Sequence, residues 1–404
     1  MLQPYRDQFN AQFSPAKYAD LLARLNQATR TSIEFRVCET PCFFPKSLID
    51  QLADTGSILT HQLLDNPDYR RASDQTIPDQ YRVPNEDAHP NFMTVDFGLV
   101  QAPDGSLQPK LVEMQAFPSI FGYQDILVRH YVETYQLQPD LQWLLGGHTH
   151  QSYWALLRKV ILGDHDPENV VLSEIDPDHQ KTLPDFNVYE DKLNLTTVDI
   201  TKLRKQGNRL YYERAGRSIP IHRIYNRAIV DEMERKSIKL AFDYRDDLDV
   251  EWAGHPNWYF RISKFSLPYL DHPSVPRAVF LDDWFAGKRP ESLPADRDQL
   301  LLKPLYSFAG KGIQFSPSDH DLAAIPPADR RLYLLQERVN FHPVIQTPHG
   351  PTQAEVRIMY LWPAGGTLQP VITLTRLGRG LMMGLDHNRD RQWVGSSAAL
   401  FPPG

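Results

Sequence analysis

A run of small residues in the last quarter of the chain has the composition of a phosphate-binding loop. Residues 300–315 read LLLKPLYSFAGKGIQF, a hydrophobic strand that delivers Lys303 and is followed by Ser307, Gly310 and Gly312. Small side chains let backbone N–H groups approach phosphate oxygens, and glycine permits the positive φ that such a nest requires. The lysine precedes the glycines, so this is not a Walker A loop. A purely structural hairpin would also account for the glycines.

Two strands near the start of the chain carry oxygen donors of the kind that Mg²⁺ binds. They read FMTVDFG at 92–98 and LVEMQ at 111–115, with an Asp-Gly turn signal between them. In such a hairpin Asp96 and Glu113 are cross-strand neighbours, and Glu113 and Gln115 point to one face. We therefore predict that these three side chains hold one metal ion. The alternative is an ordinary solvent-facing hairpin with two acids.

Further strands surround the glycine-rich loop. Residues 333–339 (YLLQERV) predict a buried strand, and residues 354–360 (AEVRIMY) place Glu355 and Arg357 on one side of the next strand. Lys264 precedes a short helix upstream of the loop. Arg376 lies just past the last predicted strand, where a positive charge could neutralise a transferring phosphoryl group.

This order of elements resembles the ATP-grasp family over roughly residues 261–375. The resemblance implies a nucleotide site in which glycines cover the phosphates and a linker after a strand grips adenine. It implies catalytic roles for Arg357 and Arg376. The implied nucleotide contacts are Lys264, Lys303, Ser307, Gly310, Gly312, Gln336, Glu337 and Val339.

The position of the acidic hairpin resembles one branch of that family. In the circularly permuted branch of eukaryotic-type glutathione synthetases and glutathionylspermidine synthetases, the metal-binding strands precede the phosphate loop. Residues 110–124, KLVEMQAFPSIFGYQ, resemble the branch's Glu-x-Asn signature, with Gln115 in place of asparagine. Ser307 stands where the branch has a metal-binding glutamate. The resemblance implies ATP and Mg²⁺ as the bound groups.

The middle of the chain resembles the substrate-side domain of the same branch. Strand-like segments alternate with helical ones between residues 169 and 232, which predicts a small α/β unit with a mostly parallel sheet. We predict that Arg223 and Arg227 anchor a substrate carboxylate, because guanidinium groups match carboxylates in a bidentate way. Surface arginines engaged in ion pairs are the alternative.

The length of 404 residues indicates two or three domains, which we place at 1–140, 141–235 and 236–404. The predicted fold class is α/β (α+β), an ATP-grasp fold in permuted order with a small parallel-sheet substrate domain. Ser14 and Pro15 predict the start of a helix. A second helix is predicted over 46–64, and an extended loop over 65–90.

Charge and hydropathy exclude several classes of function. A net charge of −7 argues against a general nucleic-acid binder, which needs a basic surface. No stretch of about 18 apolar residues is present, so we predict no membrane span and a cytoplasmic protein. Cys38 and Cys42 are the only cysteines. Two thiols cannot form a tetrahedral zinc site, so they are interpreted as reduced thiols.

Together these patterns predict an ATP-dependent carboxylate–amine ligase that acts on small molecules. By the family resemblance, ATP phosphorylates the carboxylate and the amine displaces phosphate from the acylphosphate, leaving an amide. Two alternatives stay open. The chain could be a degenerate relative that binds nucleotide without ligation, as Gln115 and Ser307 suggest, or a small-molecule kinase that stops at the phosphorylated product.

Overall fold

The computed structural model of this chain describes residues 1–306, 312–380, 383, 388 and 390–404. It is a mixed α/β molecule with several sheets, in agreement with the predicted α+β class. Within these residues, no helix combines the length and the apolar content that crossing a bilayer requires.

The helices and strands follow one another along the whole chain. The helices are α1 (Gln3–Gln12), α2 (Pro15–Ala28), α3 (Lys46–Leu64), α4 (Pro67–Asp74), α5 (Phe121–Tyr135), α6 (His150–Leu162), α7 (Leu183–Leu193), α8 (Val230–Arg235), α9 (Pro256–Arg261), α10 (Leu281–Phe285) and α11 (Asp319–Ala324). The strands are β1 (Cys42–Phe43), β2 (Phe92–Gln101), β3 (Leu107–Gln115), β4 (Val170–Glu174), β5 (Thr196–Asp199), β6 (Arg204–Gln206), β7 (Arg209–Arg214), β8 (Arg217–Ile221), β9 (Arg223–Asn226), β10 (Glu251–Ala253), β11 (Ala278–Phe280), β12 (Leu300–Pro304), β13 (Gln314–Phe315), β14 (Tyr333–Glu337), β15 (Gln353–Leu361), β16 (Gln369–Gly378), β17 (Gly395–Ser397) and β18 (Ala399–Leu400).

The central sheet is antiparallel and has the strand order β17-β16-β15-β2-β3. It joins the predicted N-terminal hairpin to the strands that follow the glycine-rich loop. Alternate residues of β2 and β15, such as Val95 and Ile358, pack with α3, while Phe92 and Met359 pack with α6. Both faces of these two strands are therefore covered, so the solvent-facing alternative does not fit β2, while the edge strand β3 is partly exposed.

A second sheet, β10-β9-β4-β5, is parallel throughout. It is the parallel sheet predicted from the middle of the chain. Its edge strand β10 lies beyond residue 235, where we placed the end of the middle domain. The strand-like stretch 219–225 of that region is divided between two sheets: β8 pairs with β7 in the antiparallel sheet β6-β7-β8, and β9 joins the parallel sheet. The three domain limits stay predictions.

A third sheet has the order β11-β14-β12-β13 and is antiparallel. One face, which includes Leu302 and Leu335, packs under α10. The alternation of side chains places Lys303 and Gln336 on the opposite face, together with Leu334. Leu334 packs with Phe265 of the 3₁₀ segment Lys264–Tyr269. Lys303 therefore lies on the face of the third sheet that packs against the 3₁₀ segment. That segment begins with Lys264, the other predicted lysine.

Local capping explains two helix starts. The Ser14 hydroxyl accepts the Lys17 N–H at 3.2 Å, with Pro15 at the first helical position, as predicted for α2. The predicted loop over 65–90 is wrong in part, because it contains α4. The Asn66 side chain accepts the N–H groups of Asp68 and Tyr69, and Pro67 opens the helix.

We expect Gly56→Ala to destabilise the fold, because α3 approaches β15 closely at this glycine. A Cβ built on Gly56 would lie 2.1 Å from the Tyr360 hydroxyl oxygen, which donates to the Ala53 carbonyl at 2.7 Å. Overpacking of this kind costs about 1–3 kcal/mol of unfolding free energy. Urea denaturation measures the loss. Ile58→Ala, at an exposed position of the same helix, is the control and stays within about 0.5 kcal/mol of the original chain. An unchanged midpoint for Gly56→Ala would contradict the packing described.

Candidate active site

The register of the central sheet lines up charged side chains across four strands. Arg357 on β15 lies opposite Asp96 on β2, and Asp96 lies opposite Glu113 on β3. Two residues earlier on β15, Glu355 lies opposite Arg376 on β16. Paired residues of antiparallel strands point to the same face. One face of the sheet thus gathers three acids and two arginines, and the predicted pairing of Asp96 with Glu113 is confirmed.

Asp96 orients the two arginines. Arg357 donates to both of its carboxylate oxygens, from Nε and Nη2 at 2.6 Å each, and Arg376 Nη2 donates at 3.2 Å. Asp96 is 1% exposed. Burial alone would raise its pKa, but the two guanidinium groups hold the pKa below its usual range. Both oxygens are already engaged, so Asp96 has less freedom to bind a metal ion than we predicted.

Glu355 is a site residue that our sequence prediction of functional side chains omitted. It accepts a hydrogen bond from Arg376 Nη1 at 2.6 Å and is buried. Burial raises the pKa of Glu355 well above its ordinary value, Arg376 opposes that shift, and the negative charges of Asp96 and Glu113 add to it. The signal was present in the sequence, because Glu355 and Arg357 are spaced to share one face of a strand.

Glu113 connects the hairpin to the positive side chains around it. The Gln115 amide donates to Glu113 Oε1 at 2.8 Å, so the two side chains lie on one face as predicted. The charge of Glu113 favours the protonated forms of Lys264, Lys303 and Arg376. Glu113 therefore lies within electrostatic reach of both predicted nucleotide-binding lysines.

Lys303 is a buried cation that forms no ion pair within the described residues. Its side chain is at the end of β12, and the residue is 5% exposed. Burial, together with the charge of Lys264, lowers the pKa of Lys303 to about 8, against the opposing influence of Glu113 and Glu355. None of these influences is a hydrogen bond. A buried ammonium without a bound partner is costly, and an anionic ligand would offset that cost.

Lys264 and Glu113 line the same cleft. Lys264 is buried, which lowers its pKa, and Glu113 and Asp231 oppose the shift. This small cleft of about 50 Å³ opens between Lys264, the end of β3 and the segment just before the glycine-rich loop. Its wall includes Glu113, Gln115, Phe117, Tyr259, Lys264 and Tyr306. Five of these six residues carry polar side-chain atoms.

The predicted phosphate loop is described in part. Ser307 and Gly310 lie outside the described residues. Gly312 has φ +73, and a Cβ built on it would lie 3.0 Å from the Pro304 ring. Its left-handed backbone requires glycine, as expected for a nest residue.

The predicted adenine linker begins on the face that carries Lys303. Gln336 is buried, and its Oε1 has no hydrogen-bond partner within the described residues. An unsatisfied buried acceptor is unusual and suits a ligand N–H donor. Glu337 accepts the Arg277 N–H at 3.1 Å, and Val339 is half-buried in the segment after β14.

Arg223, which we predicted to bind substrate, is engaged inside the fold. Its Nε and Nη2 donate to the carbonyls of Ile161 and Val160 at 3.1 Å each, at the C-terminal end of α6, and Nη1 pairs with Glu251. A cation at the end of a helix is stabilised by the exposed carbonyls. Arg223 therefore matches the alternative to substrate binding, an arginine that is engaged in an ion pair.

Arg227 is placed differently. It lies just after β9 and donates to the Pro118 carbonyl. Its guanidinium carbon is 5.4 Å from the centre of the Phe117 ring, which lines the cleft. Its Nε is buried and has no partner among the described residues. Burial raises the pKa of the nearby Asp185 to about 7, and the charge of Arg227 opposes that rise. Arg227 therefore keeps an unsatisfied donor near the cleft.

The acidic groups do not form a complete metal cage. Within the described part of the chain, no three His, Cys, Asp or Glu side chains are grouped so that they could hold a metal ion. Mg²⁺ usually binds through one or two carboxylates together with substrate phosphates. Glu113, with Gln115 beside it, fits that mode of binding better than a site built from protein ligands alone.

Comparison with solved structures supports the fold. A glutathione synthetase-like effector from Globodera pallida, solved in its apo form, superposes with a TM-score of 0.57. The two chains share a fold. The alignment covers 95% of this chain and 98% of the effector, at 12% sequence identity. No protein-family model matches this sequence, and no curated protein matches it either.

Proposed function

We propose that this chain is an ATP-dependent ligase of the ATP-grasp type, in the circularly permuted order, which joins a small-molecule carboxylate to an amine. One observation carries the proposal. The charge of Glu113, in the N-terminal hairpin, acts on Lys303, in the strand before the glycine-rich loop, although 190 positions separate the two residues along the chain. The glutathione synthetase-like neighbour supports the same fold.

The side chains present fit a magnesium–ATP complex. Lys303 is a buried cation without an ion pair among the described residues, and Lys264 faces the same acid. These two lysines would hold the phosphates, Glu113 and Gln115 would hold Mg²⁺, and the unsatisfied Gln336 Oε1 would accept from the adenine amino group. When bound, Mg²⁺ neutralises phosphate charge and orients the terminal phosphoryl group.

The proposed reaction has two steps. A carboxylate oxygen of the substrate attacks the γ-phosphorus of ATP, the bond to the β–γ bridging oxygen breaks, and ADP leaves. The amine nitrogen of the second substrate then attacks the acyl carbon, loses a proton and expels phosphate, which leaves an amide. Arg357 and Arg376, held by Asp96, would neutralise the transferring phosphoryl group, and Arg227 would anchor the carboxylate substrate.

ATP binding should depend on pH through Lys303. Its pKa of about 8 lies below the ordinary lysine value of about 10.4, so the free protein loses this charge as the pH rises through 8. Phosphates favour the ammonium form, so binding above pH 8 must take up a proton, and the affinity must fall with rising pH. Titration calorimetry at pH 9 in two buffers of different ionisation enthalpy should show uptake of about one proton. At pH 7.5 the uptake from Lys303 should be small. No proton uptake at pH 9 would contradict the assignment.

The experiment that tests the function is a screen for ADP release over pairs of acids and amines with Mg²⁺ present. ADP that appears only when both substrates are present, together with an amide product, supports the ligase. A stable phosphorylated product made without an amine would favour a kinase. The degenerate binder is suggested by Gln115, which stands in place of the asparagine of the resembled signature. It would be indicated by ATP binding without turnover over the whole panel.

A further inference from the structure

Gly98 lies on the charged face of the central sheet, directly opposite Glu355. The register pairs the Cα atoms of these two residues, and alternation along β2 puts Gly98 on the same face as Asp96. No side chain projects from β2 at this point. The space is filled by a residue from elsewhere in the chain, the aromatic ring of Phe341. A Cβ built on Gly98 would lie 1.6 Å from Phe341 Cε1 and 2.2 Å from Cδ1.

Phe341 belongs to the segment between β14 and β15, which begins with the predicted adenine linker. The next residue, His342, donates its backbone N–H to the Leu99 carbonyl at 2.8 Å, and Gln353 Nε2 donates to the Phe341 carbonyl at 3.2 Å. The segment is thus attached to β2 by one ring and one backbone hydrogen bond. Both attachments lie a few residues after Gln336 and beside the row of acids.

We propose that Gly98 is a positioning residue, whose missing side chain lets Phe341 hold the nucleotide linker against the acid-bearing face. The inference rests on the proposed function, because it concerns the distance between the adenine end and the metal end of that site. An added methyl group would force the ring away by roughly 2 Å to regain ordinary van der Waals contact. The linker would move with the ring, while Glu355 and Asp96 would stay on their strands.

The test compares Gly98→Ala with the double variant Gly98→Ala/Phe341→Ala. We expect Gly98→Ala to lower kcat/KM for ATP on the order of 10²-fold, mainly through KM, as displaced binding groups do. Removing the ring removes the clash but also the contact that holds the linker, so the double variant should recover only part of that loss. Gly56→Ala is the matched control: it overpacks the opposite face of the same sheet and should lower stability without changing KM for ATP.

A second measurement needs no nucleotide. Hydrogen exchange at the His342 amide, which bonds to Leu99, should speed up in Gly98→Ala and slow again only in part in the double variant, which has lost the clash and also the ring. Unchanged exchange in Gly98→Ala would overturn the inference even if the chain proves not to use ATP. An unchanged KM for ATP in a folded Gly98→Ala, or a double variant no better than the single one, would also overturn it. Absence of ATP binding by the original chain would instead count against the proposed function.

Discussion

Glu113→Gln should abolish turnover while the protein stays folded. The substitution keeps the shape of the side chain and removes the charge that faces Lys264, Lys303 and Arg376. We expect kcat to fall about 10³-fold, because the metal loses its carboxylate ligand and the phosphoryl group loses its neutralising ion. Steady-state ADP release with Mg²⁺ measures the effect.

The same variant should bind ATP at least as well as the original chain when the metal is removed with a chelator. Loss of a negative charge leaves the lysines as a more positive surface for the phosphates. ATP binding without metal thus distinguishes a variant that has lost only the metal ligand from one that has lost the whole nucleotide site. Glu34→Gln, at an exposed position, is the matched control and should retain full activity. Full activity in Glu113→Gln would mean that the metal binds elsewhere.

Lys303→Met should have opposite effects on ATP affinity and on stability. Nucleotide affinity should fall by about 10²-fold or more, because a charge-assisted contact with phosphate is lost in a buried place. The free protein should become more stable by about 1 kcal/mol or more, since a buried ammonium without an ion pair among the described residues is replaced by an apolar chain. Thermal unfolding and ATP titration measure the two effects.

Lys239→Met, at an exposed position, is the control for Lys303→Met and should change neither quantity. The sign of the stability change is the informative result. A marked destabilisation by Lys303→Met would show that Lys303 has a structural partner in the fold. ATP affinity equal to that of the original chain would remove Lys303 from the nucleotide site.

The sequence predicted the parts of the site that depend on strand periodicity. Alternation along β2 and β3, with an Asp-Gly turn between them, placed Asp96 opposite Glu113 and put Gln115 on the face of Glu113. The same alternation placed Glu355 beside Arg357. These relations depend on residues near one another in the chain, where a two-residue repeat is a reliable guide.

Relations between distant segments could not be read in this way. Arg223 and Arg227 look equivalent in the sequence, yet one binds the carbonyls at the end of α6 and the other approaches the cleft. Which environment each residue meets depends on how α6 crosses the parallel sheet. The ion pairs of Asp96 likewise depend on β15, more than 250 positions away. The missed helix α4 is a local failure, because Asn66 and Pro67 are an ordinary capping signal.

A crystal structure of the chain with Mg²⁺ and a non-hydrolysable ATP analogue tests the central claim most directly. We predict the triphosphate between Lys264 and Lys303, with the metal ion bound to Glu113 and to phosphate oxygens. The adenine should lie against Gln336, at the start of the segment that Phe341 holds to Gly98. A nucleotide bound away from Glu113 and Lys303, or a metal ion held by other acids, would contradict the account.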